Sequence, residues 1–283
     1  MAEERMLITG GQRLEGTVRV SGGKNTSVAV ISASILSETP CVIENLPNIE
    51  DVNVSVETDA GIHGKSVRHG FREFLVRDGF FYLNGRRIFA KGSNWVNPEI
   101  FPGEITPETY ARHIALAKEA HMNIFRCWGG SGINKRAFYD LCDRAGLLLW
   151  VEFPLACNDY AGTPHYLKIL EQEASSILRR LRRHPSVAMW CGGNELFNGW
   201  AGMTDQSLAL RLLNKLCYEL DRDRPFLMTS PLCGMAHGGY TFYDAAAQMD
   251  VFQLFQHSKH VAYTEFGVPG TPDEDYLSSF IPE

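Results

Sequence analysis

The chain has 283 residues, of which 45% are hydrophobic and 21% charged, and its formal net charge is −6. This length can bury a real core in one large domain or two ordinary ones, and the composition is typical of globular proteins. The acidic balance argues against nucleic acid as a partner, because phosphate binding needs a basic surface. No apolar run approaches the roughly 18 residues of a membrane span. The N-terminus lacks the basic start and apolar stretch of a signal peptide, so we expect a cytoplasmic protein without a membrane partner.

The seven cysteines are scattered through the chain, and none stands in a Cys-x-x-Cys pair. Most of them lie inside apolar runs, which predicts buried free thiols in a reducing compartment. The nine histidines show no metal-ligand spacing either. We therefore expect neither a metal site nor a cofactor.

Two kinds of sequence meet near residue 52. Residues 6–52 are rich in Gly, Val, Ile, Ser and Thr, and they predict a small α+β fragment with a buried helix over 24–37 and a strand over 40–44. From residue 71 onward, aromatic residues become frequent and short apolar strands alternate with helices. The boundary predicts a change from one domain to another.

The alternation after residue 71 predicts the main fold. Thr106 offers a capping hydroxyl before Pro107 at one helix start, and a later helix stops at Gly146. Repeated β/α units favour a parallel barrel, so the predicted fold class is α/β, an incomplete (β/α)8 TIM barrel of about seven strands behind the small α+β N-terminal fragment. We find no eighth strand in the sequence, and the open edges of the first and seventh strands would favour self-association. The predicted strands lie at 87–92, 123–128, 147–153, 187–191, 226–229, within 235–243, and at 261–264.

Carboxylates follow several of the predicted strands. Glu152 closes the third strand, Glu195 the fourth and Glu265 the seventh, at the end of the barrel where active sites lie. Glycoside hydrolysis needs two carboxylates, one to donate and recover a proton and one to attack the anomeric carbon. The retaining geometry separates them by about 5–5.5 Å. Because the fourth and seventh strands lie across a barrel from each other, we expect Glu195 and Glu265 to meet at that range.

Six motifs occur in a fixed order, namely KGSNW (91–95), FRCWGG (125–130), AFYDLCD (137–143), RRHPSV (182–187), WCGGNE (190–195) and TEFG (264–267). Together, over about 53–283, they resemble glycoside hydrolase family 2 and in particular its β-mannosidase-like branch. The resemblance implies that Glu195 is the acid/base and Glu265 the nucleophile of a retaining mechanism. It also implies that Asn194 binds the sugar 2-hydroxyl and that the positive charge of Arg126 supports the ionised nucleophile. It assigns 53–70 to a remnant of a β-sandwich strand and linker, and 71–283 to a barrel truncated before its last strand.

The charged residues also have structural alternatives. Glu195 could be a solvent-facing loop residue, and Glu265 an uninvolved carboxylate at the barrel mouth. Arg126 could pair with Glu152 inside the barrel instead of supporting a nucleophile. Glu152 is itself a further candidate for substrate binding.

The aromatic candidates are open in the same way. Trp95, Trp128 and Trp200 could stack on sugar rings, and each could equally pack in the core. His237 and Tyr240 stand near the end of the sixth predicted strand. They are candidates for sugar contacts, with structural hydrogen bonds as the alternative.

The N-terminal segment carries a second set of motifs, namely ITGG (8–11), LEG (14–16), VRVSGGKN (18–25) and LPNIEDV (46–52). Over about 6–52 these are similar to the start of UDP-N-acetylglucosamine enolpyruvyl transferase, so 1–52 is predicted to be a fragment of that kind. The resemblance implies that Lys24 and Asn25 bind substrate. The loop carrying that family's catalytic cysteine has no counterpart in the sequence.

Three functional hypotheses follow. The first is a retaining exo-β-glycosidase that hydrolyses a terminal β-mannoside or β-galactoside of a small oligosaccharide by double displacement. The second is an inactive truncated or fused remnant with at most weak sugar binding. The third is enolpyruvyl transfer, which rests on the N-terminal resemblance alone.

Overall fold

The computed structural model describes residues 51–58, 61–68, 72–232, 234–268, 270 and 274–281, the first two ranges by their backbone only. The predicted helix over 24–37 and strand over 40–44, together with Lys24 and Asn25, lie outside the described residues. Strands β1 (Asp51–Thr58) and β2 (Gly61–Arg68) form an antiparallel hairpin.

A three-stranded antiparallel sheet precedes the barrel. It contains β3 (Phe74–Arg77), β4 (Phe80–Leu83) and β5 (Arg86–Ile88), paired in that order. The prediction of a first barrel strand over 87–92 was therefore wrong, because Arg86–Ile88 pairs with β4. The first barrel strand is β6 (Gly92–Trp95).

This antiparallel sheet covers the N-terminal end of the barrel. Phe74 is 2% exposed and packs with Ile124, Leu148 and Trp150, which point into the barrel. The guanidinium of Arg72 donates hydrogen bonds to the carbonyl oxygens of Pro185 and Val187, at the start of the fourth barrel strand. The barrel interior is thus filled at the end opposite to the predicted active site.

The barrel begins with five parallel strands in chain order: β6, β7 (Ile124–Cys127), β8 (Leu148–Glu152), β9 (Val187–Cys191) and β10 (Phe226–Leu227). Every residue of β7, β8 and β9 is buried, as expected of strands covered on both faces. These strands confirm the predicted parallel α/β fold.

Four helices cover the outer face of this sheet. They are α1 (Pro107–Glu119), α2 (Arg136–Ala145), α3 (Pro164–Leu181) and α4 (Leu208–Asp221). The Thr106 hydroxyl caps α1 by accepting from the Thr109 amide, and Gly146 ends α2 in the left-handed region, as the sequence predicted. No helix in the described part of the chain has the length and hydrophobicity needed to cross a membrane.

The remainder of the barrel is a parallel pair, β11 (Met235–His237) with β14 (Ala262–Glu265). Between them lie the hairpin of β12 (Tyr243–Asp244) and β13 (Met249–Asp250) and the short helix α5 (Val251–Gln256), and α6 (Glu274–Ser278) follows. β11 and β14 correspond to the predicted sixth and seventh strands. In the described ranges no strand pairing joins β14 to β6, so the barrel is not closed there.

Candidate active site

Glu195 is positioned by a tight loop at the carboxyl end of β9. A side chain on Gly192 would place its Cβ 2.2 Å from the Met228 carbonyl oxygen, and one on Gly193 would lie 2.3 Å from that of Leu155. The two glycines therefore allow the loop to pass between its neighbours. Glu195 itself adopts a φ of 53°, and its amide donates to the Ser230 carbonyl at 2.7 Å.

The two predicted catalytic carboxylates share one site. A carboxylate oxygen of Glu195, one of Glu265 and a ring nitrogen of His237 all lie within 4.8 Å of one another. His237 Nδ1 is 2.6 Å from Glu195 Oε1 and 3.6 Å from Glu265 Oε2. Both carboxylates are partly exposed, at 19% and 22% of their side-chain area. The pair is therefore open to solvent and linked by one imidazole.

Arg126 connects the groups around this pair and is only 5% exposed. Its Nε donates to Glu152 Oε1 at 2.8 Å, its Nη1 to Glu265 Oε1 at 2.7 Å, and its Nη2 to Asn194 Oδ1 at 2.5 Å. Arg126 therefore pairs with both Glu152 and Glu265, and its support of a nucleophile stays a prediction. Burial opposes its charge, but the carboxylates of Glu152 and Glu265 outweigh burial and raise the pKa of Arg126.

Glu152 is buried, with both carboxylate oxygens turned to neighbouring donors of the protein. Its Oε1 accepts from Arg126 and its Oε2 accepts from the Gly129 amide at 2.8 Å, and the residue is 1% exposed. Burial raises the pKa of Glu152, while Arg126 and the Gly129 amide act in the opposite direction. The expectation of a substrate contact is corrected: Glu152 holds Arg126 in place.

His237 and Tyr240 both bond to the carboxylates. The other ring nitrogen of His237 lies 3.3 Å from Ser230 Oγ, which in turn lies 2.8 Å from Thr264 Oγ1. The Tyr240 hydroxyl donates to Glu265 Oε2 at 3.2 Å. Burial and the nearby charge of Glu265 raise the pKa of Tyr240 to about 12, so its phenol remains a neutral donor at ordinary pH.

The three tryptophans have different surroundings. Trp95 is 6% exposed, packs against Tyr110 and Phe138, and donates its indole N–H to Asn134 Oδ1 at 3.0 Å. The expected sugar contact by Trp95 is therefore corrected to a core role, because its side chain points outward towards the helices. Trp128 is half-buried just after β7 and remains a stacking candidate, and Trp200 is 62% exposed in the loop after Glu195.

Four further polar residues belong to the site and were missed from the sequence. Asn94 Oδ1 accepts from Arg126 Nη1 at 2.9 Å, and Ser230 and Thr264 support His237 as described above. Cys157 is exposed, and its Sγ lies 3.7 Å from Glu195 Oε2. The one available signal was position, since all four residues stand at or just beyond the carboxyl ends of barrel strands.

Two clusters among the described residues contain metal-ligand atoms close together. One is Glu195, His237 and Glu265, and the other is Asp140, Asp143 and His184. In the first, the adjacent Arg126 charge opposes a cation. In the second, both Asp143 oxygens already accept hydrogen bonds, one from the His184 ring and one from the Ser186 amide. The absence of a metal stays a prediction.

Comparisons with known proteins identify the family of the barrel. Residues 74–260 match the family model of the glycosyl hydrolases family 2 TIM barrel domain, and residues 8–64 match that of EPSP synthase (3-phosphoshikimate 1-carboxyvinyltransferase). The second match agrees with the predicted N-terminal resemblance to an enolpyruvyl transferase. The first begins at β3, so the antiparallel cap belongs to the matched domain, and it ends five residues before Glu265.

Several relatives are β-mannosidases. The chain is 28% identical to the Capra hircus β-mannosidase over 262 residues, which covers 78% of this chain and 30% of the relative. It is 33% identical to the Rattus norvegicus β-mannosidase over 170 residues, covering 55% and 19%. The crystal structure of a β-D-mannosidase from Dictyoglomus thermophilum superposes with a TM-score of 0.69 at 28% identity, covering 77% and 30%. The chain thus spans less than a third of the length of these relatives. By its matched domain and its fold, the chain belongs to the glycosyl hydrolases of family 2.

Proposed function

We propose that this chain carries the catalytic centre of a retaining exo-β-glycosidase, with Glu195 as acid/base and Glu265 as nucleophile. The observation that carries the proposal is the clustering of both carboxylates and His237 within 4.8 Å. The retaining geometry sets the two carboxyl groups about 5–5.5 Å apart and the inverting geometry about 6.5–9.5 Å apart, so single oxygens that lie within 4.8 Å of each other favour the retaining one.

The first step forms a covalent glycosyl-enzyme. A Glu265 oxygen attacks the anomeric carbon, the glycosidic C–O bond breaks, and Glu195 gives its proton to the departing oxygen. In the second step Glu195 takes a proton from water, the water oxygen attacks the anomeric carbon, and the bond to Glu265 breaks. The sugar leaves with its original anomeric configuration.

The surroundings of Glu265 suit a nucleophile. Arg126 and Tyr240 each donate a hydrogen bond to it, to Oε1 and Oε2 respectively. These two donors hold the carboxylate in one orientation, and the Arg126 charge lies beside the oxygen that it contacts. Arg126 orients the Asn194 amide beside the two carboxylates, and although Asn194 is 2% exposed, its second amide N–H is left for the proposed contact with the sugar 2-hydroxyl.

We propose a terminal β-mannoside as the substrate, with a β-galactoside as the alternative. Support comes from the β-mannosidases among the relatives. Release of nitrophenol from aryl β-mannoside and aryl β-galactoside tests the choice. The proposal predicts faster turnover of the mannoside. Faster turnover of the galactoside would instead make a β-galactoside the substrate.

Matched variants test the catalytic roles. Glu195→Gln and Glu265→Gln are expected to lower the turnover by at least about a thousandfold, whereas Glu219→Gln, an exposed change on α4, leaves it unchanged. Proton NMR of the first product anomer is expected to show retention. An inverted product would remove Glu265 from the nucleophile role.

A second candidate function rests on the unpaired edges of β6 and β14 in the described ranges. In that case the chain binds sugar without turning it over. A folded chain that binds mannose by calorimetry but releases no nitrophenol would favour this candidate over hydrolysis.

A further inference from the structure

Cys157 differs from the other described cysteines. Cys127, Cys142, Cys191 and Cys217 are buried, whereas Cys157 is exposed. It lies in the loop after β8 and adopts a left-handed φ of 53°. Its thiol therefore stands at the barrel mouth rather than in the core.

The Cys157 loop is fastened to the loop that carries the acid/base. The Cys157 amide donates to the Asn194 carbonyl at 2.9 Å, and the Asn194 amide donates to the Leu155 carbonyl at 3.0 Å, which together make the parallel bridge between Ala156 and Asn194. The Asn194 side chain adds a third link, because its Nδ2 donates to Cys157 Sγ at 3.2 Å. Since Arg126 bonds the amide oxygen of Asn194, the amide nitrogen is directed to the thiol.

The same thiol reaches Glu195. Its S–H donates to Oε2 at 3.7 Å, while Oε1 bonds to His237 at 2.6 Å. Each oxygen of Glu195 thus has one partner, a close imidazole on one side and a long, weak thiol contact on the other. Oε2 therefore has the weaker of the two partners.

The protonation state of Cys157 fits this role. Although the residue is exposed, the protein atoms around the sulfur partly desolvate it, which raises the pKa of the Cys157 thiol; the Asn194 amide lowers this pKa, and the charges of Glu195 and Glu265 raise it further. The thiol is therefore held as S–H, which is a donor, whereas a thiolate would repel the carboxylate.

We propose that Cys157 is a positioning residue of the glycosidase, whose thiol orients the Glu195 carboxylate and the Asn194 amide together. The inference rests on the proposed function, because it assigns Cys157 to the proton-transfer half of that reaction. It predicts that losing the thiol impairs steps that need a proton from Glu195 and spares those that do not.

Leaving-group dependence separates positioning from a merely structural role. In Cys157→Ala we expect kcat/KM to fall about tenfold for phenyl β-mannoside. This is the change in rate expected when the transition state loses one weak hydrogen bond. For 2,4-dinitrophenyl β-mannoside, whose leaving group departs without a proton, we expect a change of less than about twofold. Cys157→Ser is expected to fall between the parent and Cys157→Ala. Equal losses on both substrates, with an unchanged circular-dichroism melting temperature, would overturn the inference.

A second measurement needs no turnover. Iodoacetamide alkylates the thiolate, forming an S–C bond and releasing iodide, so the pH dependence of its rate gives the thiol pKa. Cys157→Ser supplies the background from the other cysteines. Glu195→Gln removes the charge beside the thiol and is expected to lower the Cys157 pKa by roughly one unit. His237, Arg126 and Glu265 are still present in this variant, so the change in pKa reports the loss of the Glu195 charge.

The two measurements distinguish the two proposals. An unshifted thiol pKa in a chain that hydrolyses mannosides overturns the Cys157 inference alone. A shifted thiol pKa in a chain that hydrolyses no glycoside overturns the proposed glycosidase function. The contact between Cys157 and Glu195 then has no catalytic role. A shifted pKa together with selective loss on phenyl β-mannoside supports both.

Discussion

Glu152→Gln tests whether Glu152 is a support for Arg126 or a substrate contact. The change preserves shape and removes one acceptor. Glu152 accepts from Arg126 Nε on one oxygen and from the Gly129 amide on the other, and the residue is 1% exposed. A glutamine side chain offers one oxygen and one NH2 group, so one of these two donors must face another donor.

The expected loss of stability follows from that count. A buried donor without an acceptor costs about 1–3 kcal/mol. Because burial raises the pKa of Glu152, removing its charge recovers part of the desolvation cost, and Arg126 keeps its bond to Glu265. We therefore expect a net loss of about 1–3 kcal/mol in the free energy of unfolding rather than the roughly 3–5 kcal/mol of a fully broken buried ion pair.

Urea denaturation followed by fluorescence measures this change. The comparison holds if the slope of the unfolding free energy against urea concentration is the same in both proteins. Glu219→Gln is the matched control, because Glu219 forms an exposed pair with Lys215 on α4 and its loss is expected to cost less than about 0.5 kcal/mol. Equal stability of Glu152→Gln and Glu219→Gln would refute the support role. So would a rise in KM with unchanged stability, which is the result expected of a sugar contact.

Three further predictions follow from the packing. Trp95→Ala is expected to lower the free energy of unfolding in urea by about 3–5 kcal/mol with an unchanged KM, because Trp95 lies in the core. A raised KM would indicate that Trp95 contacts the sugar. Gly92→Ala would place a Cβ 1.9 Å from the Ile124 carbonyl oxygen and is expected to yield little soluble protein, whereas a stable variant would contradict that close approach. Tyr240→Phe is expected to lower kcat/KM about tenfold without moving the alkaline limb of the pH profile, since the Tyr240 pKa of about 12 keeps the phenol protonated below that pH. A shifted alkaline limb would show that the phenol titrates.

The parallel part of the fold was predictable because each β/α unit carries local signals. The Thr106 cap and the left-handed Gly146 are both visible in the sequence and both occur in the structure. Strand positions followed from apolar runs of a length that suits buried parallel strands.

The antiparallel cap was missed although its turns were marked. Asp78-Gly79 and Asn84-Gly85 connect β3 to β4 and β4 to β5 as two-residue loops, and all four residues have positive φ. Asp-Gly and Asn-Gly between apolar runs are strong hairpin signals. These two turns place the first barrel strand at β6 rather than over 87–92.

The candidate carboxylates were predictable because a strand end in a barrel fixes which residues reach the mouth. The direction of a side chain was harder to predict. Asn94 and Trp95 are neighbours on a four-residue strand, and one residue of register decides which faces the barrel interior. Cys157 carries no signal in the sequence beyond its place after β8, since only the folded loop shows that its thiol is exposed beside Glu195.

Covalent trapping tests the assignment of Glu265 most directly. A 2-deoxy-2-fluoro-β-mannosyl donor with a good leaving group slows the second step and accumulates the glycosyl-enzyme. We predict that mass spectrometry of a proteolytic digest finds one fluoromannosyl group, attached to Glu265, and that Glu265→Gln is not labelled. A label on Glu195 or another carboxylate, or hydrolysis of mannosides by a chain that is never labelled, would contradict the proposed mechanism.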